Sequence, residues 1–329
     1  MIGRPVSEPQ NGYLEGHIAE VRQAAARIRP HVRRTPTVGT DLDPDLRLKA
    51  ECFQVTGSFK PRGAFNAVLS HMARRPRPIG VIAVSSGNHA QAVALAAATV
   101  GLPALIVIPE DANPAKVAAT RALGAEVIQE GVTFANREDR MHELMAERSF
   151  TLVHPFDDWD VIHGQGTAAV ELLDDAPDLD VIATPLGGGG LLSGTAISAK
   201  HHNRAIKIIG VEPAQADDAF RSWKSGSIQV LAKAPATLAD GVRTTAIGQR
   251  NFEVMFEKGL VDEVVTVTED EIAAGARVAW RRLRIALEPT GALPLAAYLA
   301  GKLPNGRAGL ILSGGNANLQ TVAKLLATP

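Results

Sequence analysis

The feature that most limits the fold is the run Val181-Ile-Ala-Thr-Pro-Leu-Gly187-Gly188-Gly189-Gly190-Leu191-Leu-Ser193. An uncharged apolar segment enters four consecutive glycines and leaves as a stretch with helical spacing. Without side chains the backbone can wrap round an anion and aim several N–H groups at it, and a helix N-terminus adds favourable partial charge. That dipole supplies only ~0.3–1 kcal/mol, so converging hydrogen bonds must do most of the binding. A flexible turn is the simpler alternative, but four glycines between two well-formed elements favour a phosphate site. A nicotinamide loop fits poorly, because the run satisfies G-x-G-x-x-G/A only loosely and lies far from the N-terminus. A P-loop is excluded, because no Gly-Lys-Ser/Thr follows. A single bound phosphate is expected.

The surrounding pattern predicts an α/β fold. Strands are expected at 81–84, 104–108, 126–129 and 151–153, alternating with helices at 88–100, 114–123 and 134–147. A helix at 166–173, a strand at 181–184, a helix at 191–201 and a strand at 207–211 follow. Beyond an irregular stretch at 213–250 come helices at 269–287 and 293–300 and a strand at 309–312. Upstream lie an amphipathic helix at 14–28, a strand at 46–51 and a helix at 61–69 with Ser58 as its expected cap. Strand and helix in turn imply parallel sheets with helices on their faces. Two such units are expected, with junctions near 70–80 and 154–160.

The formal net charge of −1 gives no general attraction for nucleic acid or an anionic membrane, and neither is expected as a partner. The uncharged stretch 92–109 matches a membrane span in length, but Gly101 and Pro103 break it, so a buried helix and a buried strand are expected. Cys52 is the only cysteine, which excludes an internal disulfide and suits a reducing cytoplasm. The first ten residues have no apolar core after a basic start, so no secretory signal is expected.

Three further motifs carry chemistry. In Thr56-Gly57-Ser58-Phe59-Lys60-Pro61-Arg62-Gly63 a lysine opens a helix, where the dipole disfavours its ammonium form. An amine of lowered pKa can act as a nucleophile or form a Schiff base, although taken alone a solvated surface lysine is the simpler reading. Val84-Ser85-Ser86-Gly87-Asn88-His89 follows a buried strand and opens an alanine-rich helix, a setting for a carboxylate or, more simply, for an N-cap. Ser313-Gly314-Gly315-Asn316 follows the last strand and alone reads as a glycine turn.

Together, in this order and spacing, the four motifs resemble the fold-type II pyridoxal-phosphate enzymes, the tryptophan synthase β-like fold. Within these they resemble the threonine/serine dehydratase and serine racemase group. The resemblance covers nearly the whole chain. It implies two three-layer α/β domains, a large one over 1–70 and 158–329 and a small mobile one over 71–157, with the active site between them. It implies that Lys60 carries pyridoxal phosphate as an imine, with Phe59 and Asn88 holding the ring and its 3-hydroxyl. Gly187, Gly188, Gly189, Gly190 and Leu191 would bind the phosphate, and Ser313 would meet the pyridine nitrogen. Ser85, Ser86, Asn88 and His89 would bind the substrate carboxylate, and Ser86 matches the racemase's opposite-face acid/base. Glu212, Ala216 and Asp218 match the family's divalent-cation loop, where two carboxylates and a backbone carbonyl suit Mg²⁺, Mn²⁺ or Ca²⁺ with ~6 or more oxygens completed by water. Glu288, in Glu288-Pro289-Thr290-Gly291, matches a segment near the ring.

The activity implied is loss of water and ammonia from a β-hydroxy L-amino acid by a cytoplasmic homodimer. Racemisation of serine, dehydration of 3-hydroxyaspartate and a non-catalytic cofactor-binding protein are the alternatives. Phe156 stands where the racemase has a polar residue facing the substrate, which argues against racemisation and for a more apolar pocket. His163 stands where a small residue is common, so hinge packing or substrate choice is expected to differ there. The chain ends at Pro329, so the regulatory domain of biosynthetic threonine deaminases is not expected.

Overall fold

The computed structural model describes residues 9–327. It opens with α1 (Pro9–Ile28), β1 (Thr37–Gly39), β2 (Leu46–Ala50) and α2 (Lys60–Ala73). Next come β3 (Val81–Val84), α3 (Asn88–Thr99), β4 (Ala104–Val107), α4 (Pro114–Ala122), β5 (Glu126–Ile128), α5 (Arg137–Arg148) and β6 (Thr151–Leu152). After α6 (Trp159–Asp175) follow β7 (Val181–Pro185), α7 (Gly190–His202), β8 (Lys207–Pro213), α8 (Asp218–Ser225) and α9 (Gln249–Phe252). The chain closes with β9 (Glu263–Val267), α10 (Glu269–Val278), α11 (Leu293–Leu299), β10 (Ala308–Leu312) and α12 (Leu319–Ala327).

The strands form a six-stranded sheet, β1-β2-β10-β7-β8-β9, and a four-stranded sheet, β5-β4-β3-β6. Every pairing is parallel except that of edge strand β1 with β2. Alternation along each strand explains the three layers. In β7, Ile182 enters the core beneath α1, α6 and α7, while Val181 and Ala183 enter the opposite core beneath α10 and α11. In β3, Val81 and Ala83 face α2 and α3 whereas Ile82 faces α5. Both sheets are therefore covered on both faces. Helix α2 begins beside the large sheet but buries Ala64, Phe65, Ala67 and Val68 in the core of the small one.

Several boundaries differ from expectation for local reasons. Helix α6 starts well before residue 166 because the Asp158 carboxylate caps it, accepting from the backbone N–H groups of Asp160 and Val161. Ser58 does not cap α2, whose N-cap is Phe59; the Ser58 hydroxyl is instead buried without a hydrogen-bond partner. Helix α10 ends at Val278, and a π-type turn carries the chain to Arg284 in the left-handed region. The interrupted stretch 92–109 is the helix α3 followed by the buried strand β4, and among the described residues no helix is long and apolar enough to cross a membrane.

A buried ionic network fixes α2. The Arg62 guanidinium, fully buried, meets Glu51 with Nε and Nη2 at 2.8 Å each and Glu171 with Nη1 at 2.8 Å and Nη2 at 2.7 Å. Lys49 Nζ donates to Glu171 at 2.7 Å and to the Thr35 carbonyl at 2.6 Å. Two cations and two carboxylates balance, and they join β2, the turn after it, α2 and α6. Breaking such a set on one side leaves a buried charge uncompensated, at ~3–5 kcal/mol. Arg62→Met is therefore expected to lose ~3–5 kcal/mol in denaturant unfolding; a loss below ~1 kcal/mol, the range of an exposed pair, would contradict this account.

Candidate active site

In a parallel sheet the loops after all strands emerge on one edge, where open α/β sheets bind ligands. Strands β2, β10 and β7 are neighbours, so the Lys60 segment, the Ser313 turn and the tetraglycine bend leave that edge side by side. The first two are also bonded together. Phe59 N–H donates to the Ser313 carbonyl at 3.0 Å and Gly315 N–H to the Gly57 carbonyl at 2.9 Å, around a Ser58–Gly314 bridge. Thr56 precedes this with φ 58, a left-handed conformation costly for a β-branched residue. Asn316 braces it, Nδ2 donating to the Thr56 carbonyl at 2.6 Å.

Lys60 is the first residue of α2, and its Nζ donates to the Pro155 carbonyl at 2.8 Å. Burial pushes its pKa down to about 8. The expected lowering is present, with burial as its cause. Pro155 leads directly to Phe156, whose ring lies on the glycine bend: a Cβ on Gly188 would collide with that ring, and one on Gly190 would sit 3.2 Å from the Phe156 backbone. Gly189 has φ +101, open to glycine but strained for other residues. Residues 60 and 187–190 are thus linked through Pro155 and Phe156. The Leu191 side chain is buried beneath them in the core of the large sheet.

Across the gap, the Ser85–His89 loop leaves the carboxyl edge of β3. Asn88 Nδ2 donates to Glu288 Oε1 at 2.7 Å and its Oδ1 accepts from Asn316 Nδ2 at 2.8 Å, so both ends of the amide are assigned. Glu288 is buried, and burial followed by the nearby Asp240 raises its pKa to about 7. Since Val153 O can only accept, His89 Nε2 carries the hydrogen of their 2.8 Å bond, and the buried Nδ1 lone pair has no partner. Burial, then the Lys60 charge, lowers the His89 pKa to about 3, which keeps the ring neutral. Ser85 accepts from Gly87 N–H at 3.2 Å, while Ser86 is less enclosed than His89. The cap of α3 is Gly87 rather than Ser86 or Asn88. The Ser313 hydroxyl is buried and unpartnered.

The loop after β8 leaves the same edge of the large sheet. Glu212 and Asp218 are both buried, with Glu212 accepting from Phe220 N–H at 2.6 Å and Ala219 N–H at 3.3 Å. Burial and then the Asp218 charge push Glu212 well above the usual carboxylate range, and burial raises Asp218 to about 7. Asp218 Oδ2 is buried without a partner, and Ala216 is buried in the same loop. Among the described residues no group of three or more His, Cys, Asp or Glu side chains is gathered for a metal. The expected set has only two such side chains plus a carbonyl.

His163 is set apart from this chemistry. It hydrogen-bonds His17 (Nε2 to Nδ1, 2.9 Å) and stacks on Trp159, in a separate cavity of about 650 Å³ that includes neither Lys60 nor the glycine bend. Pro155, Asn316, Asp157 and the turn at 240–242 also support the site, without a signal in the sequence that marks them for it. Asp157 accepts from Gln249 and Arg250 N–H groups at 3.2 and 2.9 Å, which anchors the Phe156 segment over the glycines. A carbonyl such as that of Pro155 has no sequence signature.

A buried amine, a glycine bend and an unpartnered buried hydroxyl share one sheet edge, a set of groups whose chemistry suits a phosphorylated carbonyl cofactor. Residues 28–314 match the family described as pyridoxal-phosphate dependent enzyme, and the chain belongs to that family, with its fold-type II architecture. It is 42% identical over 315 residues to the L-threo-3-hydroxyaspartate ammonia-lyase of Saccharomyces cerevisiae, covering 94% of this chain and 95% of that protein. It is 40% identical to the serine racemase of Dictyostelium discoideum, covering 94% and 97%. The crystal structure of a threonine deaminase from T.th. superposes with a TM-score of 0.85 at 45% identity, covering 91% of this chain and 98% of that one. The chain thus falls in the branch of amino-acid ammonia-lyases and racemases.

The site geometry makes one titration prediction. In cofactor-free protein, Lys60 is an ammonium below about 8 and a free amine above it. Competitive acylation read by mass spectrometry should show half-maximal Lys60 reactivity near pH 8. A midpoint above ~10, that of a solvated lysine, would refute the burial argument.

Proposed function

We propose that the chain is a pyridoxal-phosphate-dependent ammonia-lyase that removes water and ammonia from a β-hydroxy L-amino acid, with threonine and serine as leading substrates. The observation that carries this reading is the buried amine of Lys60, its pKa lowered to about 8, linked through Pro155 and Phe156 to the glycine bend. Lys60 would carry the cofactor, Gly187 to Leu191 its phosphate, Phe59 and Asn88 its ring and 3-hydroxyl, and Ser313 its pyridine nitrogen through the hydroxyl that now lacks a partner. The bound cofactor supplies an electron sink for charge developing at the substrate Cα.

The chain's own residues do the rest. Ser85, Ser86, Asn88 and His89 would hold the substrate carboxylate through hydroxyls and backbone N–H groups at the start of α3, His89 by its backbone N–H because its ring hydrogen is taken by the Val153 carbonyl. Lys60 Nζ would take the Cα proton, and a pKa of about 8 suits it to accept and return that proton. A hydroxyl at Ser313 cannot hold a proton on the ring nitrogen as a carboxylate would, which favours expulsion of the β-hydroxyl over transamination. Phe156 presents an apolar ring where a racemase would present a polar group. The same reading divides the chain into a large unit, 1–70 and 158–329, and a small one, 71–157, that moves; sheet membership supports it. It also carries a homodimer in a reducing cytoplasm, which suits the single Cys52 thiol.

Two relatives keep finer alternatives in view. The racemase likeness favours Ser86 as an acid/base on the opposite face from Lys60, and the hydroxyaspartate ammonia-lyase likeness favours an acidic substrate. A panel of β-hydroxy amino acids assayed for ammonia and 2-oxo acid, with chiral analysis of serine, separates them. Threonine or serine should yield 2-oxo acid and ammonia in equal amounts, and Lys60→Ala should lose at least ~10³-fold in rate, in line with the removal of a catalytic nucleophile. Rapid formation of D-serine with little pyruvate would overturn the lyase reading.

A divalent cation held by Glu212, Asp218 and the Ala216 carbonyl belongs to the same proposal, supported by the two crowded carboxyls and the unpartnered Asp218 oxygen. Chelator should lower the melting temperature of the wild type by several degrees, reversed by Mg²⁺ or Ca²⁺, and should leave Asp218→Ala unmoved. An equal shift in both proteins would remove the cation from this loop.

A further inference from the structure

The short turn at 240–242 touches two parts of the site at once. Gly241 N–H donates to Thr290 Oγ1 at 2.9 Å, two residues beyond Glu288. Val242 is buried against Gly187, where an added Cβ would lie 3.1 Å from its side chain. The first residue of this turn, Asp240, points across to the other sheet and forms an ion pair with Lys116, the third residue of α4. Helix α4 follows β4, the parallel neighbour of β3, so Lys116 stands on the same edge of the small sheet as the Ser85–His89 loop. The pair therefore bridges the two sheets at the mouth of the site. The Lys116 and Asp240 side chains are 18% and 46% exposed, so the contact can open to water without stranding a buried charge. Both charges also act on Glu288, Asp240 raising its pKa and Lys116 lowering it, which places them near that carboxyl.

We propose that Lys116 and Asp240 are positioning residues: their ion pair latches the small sheet over the site and, through the 240–242 turn, couples that closure to the glycine bend and to the Glu288 segment. The pair touches neither the reacting amine nor the bend directly. It sets how long the Ser85–His89 loop stays opposite Lys60. A partly exposed pair shifts such an equilibrium by about two- to five-fold, enough to tune closure without locking it. The role rests on the reading that ligand enters between the sheets, but not on which amino acid is consumed.

The test uses protein loaded with pyridoxal phosphate and four forms: wild type, Lys116→Met, Asp240→Asn and the reversed pair Lys116→Asp with Asp240→Lys. Hydrogen exchange is read in peptides spanning 114–122 and 240–242, with visible absorbance as the check on cofactor content. Each single variant should speed exchange in both segments about two- to five-fold and raise KM more than it lowers kcat, and the reversed pair should return both readouts toward wild type. Exchange unchanged in the single variants, or a reversed pair no better than either one, would overturn the latch. If no amino acid is turned over, the lyase reading fails while the exchange comparison still decides this one.

Discussion

The site depends on the Arg62 guanidinium. It lies one residue past Lys60-Pro61, fully buried, with two carboxylates from distant parts of the chain gripping its planar fork. A lysine could not replace it, since an ammonium offers no paired parallel donors to two carboxylates at once. Because Glu51 comes from the turn after β2 and Glu171 from α6, their convergence sets the position and rotation of α2's first turn. Lys60 is then delivered to the carboxyl edge of the large sheet, where burial lowers the pKa of its amine to about 8.

Around that amine the structure gathers groups whose charges are held back. His89 is kept neutral by burial, Glu288 is pushed to about 7, and the Ser313 hydroxyl has no partner. A site left with unsatisfied buried groups is costly unless a ligand completes it. The family to which the chain belongs binds such a ligand, and in the proposed function its phosphate, ring nitrogen and phenolic oxygen would meet the bend, the hydroxyl and the Asn88 amide. Asn88 is oriented before any ligand arrives, because Asn316 and Glu288 occupy the two ends of its amide.

Much of this was legible in the sequence. The tetraglycine bend, the alternation of strand and helix from residue 80 onward and the break of the uncharged stretch at Gly101 and Pro103 are local signals, written in consecutive residues. Order of the strands was not legible, since pairing of β2 with β10 joins segments more than two hundred residues apart. Nor was the Arg62 network, although Arg62 stood inside a motif already singled out, because its partners Glu51 and Glu171 carry no mark of their own. His163 was expected to bear on hinge packing or substrate choice; its contacts with His17 and Trp159 put it in packing. The turn at 240–242 lay within a stretch read as irregular, and short 3₁₀ segments offer no periodicity to find.

Covalent mapping of the cofactor tests the central claim most directly. Protein supplied with pyridoxal phosphate is reduced with borohydride, digested and read by mass spectrometry. A phosphopyridoxyl group on the peptide bearing Lys60, absent from Lys60→Ala, is the expected result. Label on another lysine, label that persists in Lys60→Ala, or a protein that takes up no cofactor would contradict the account.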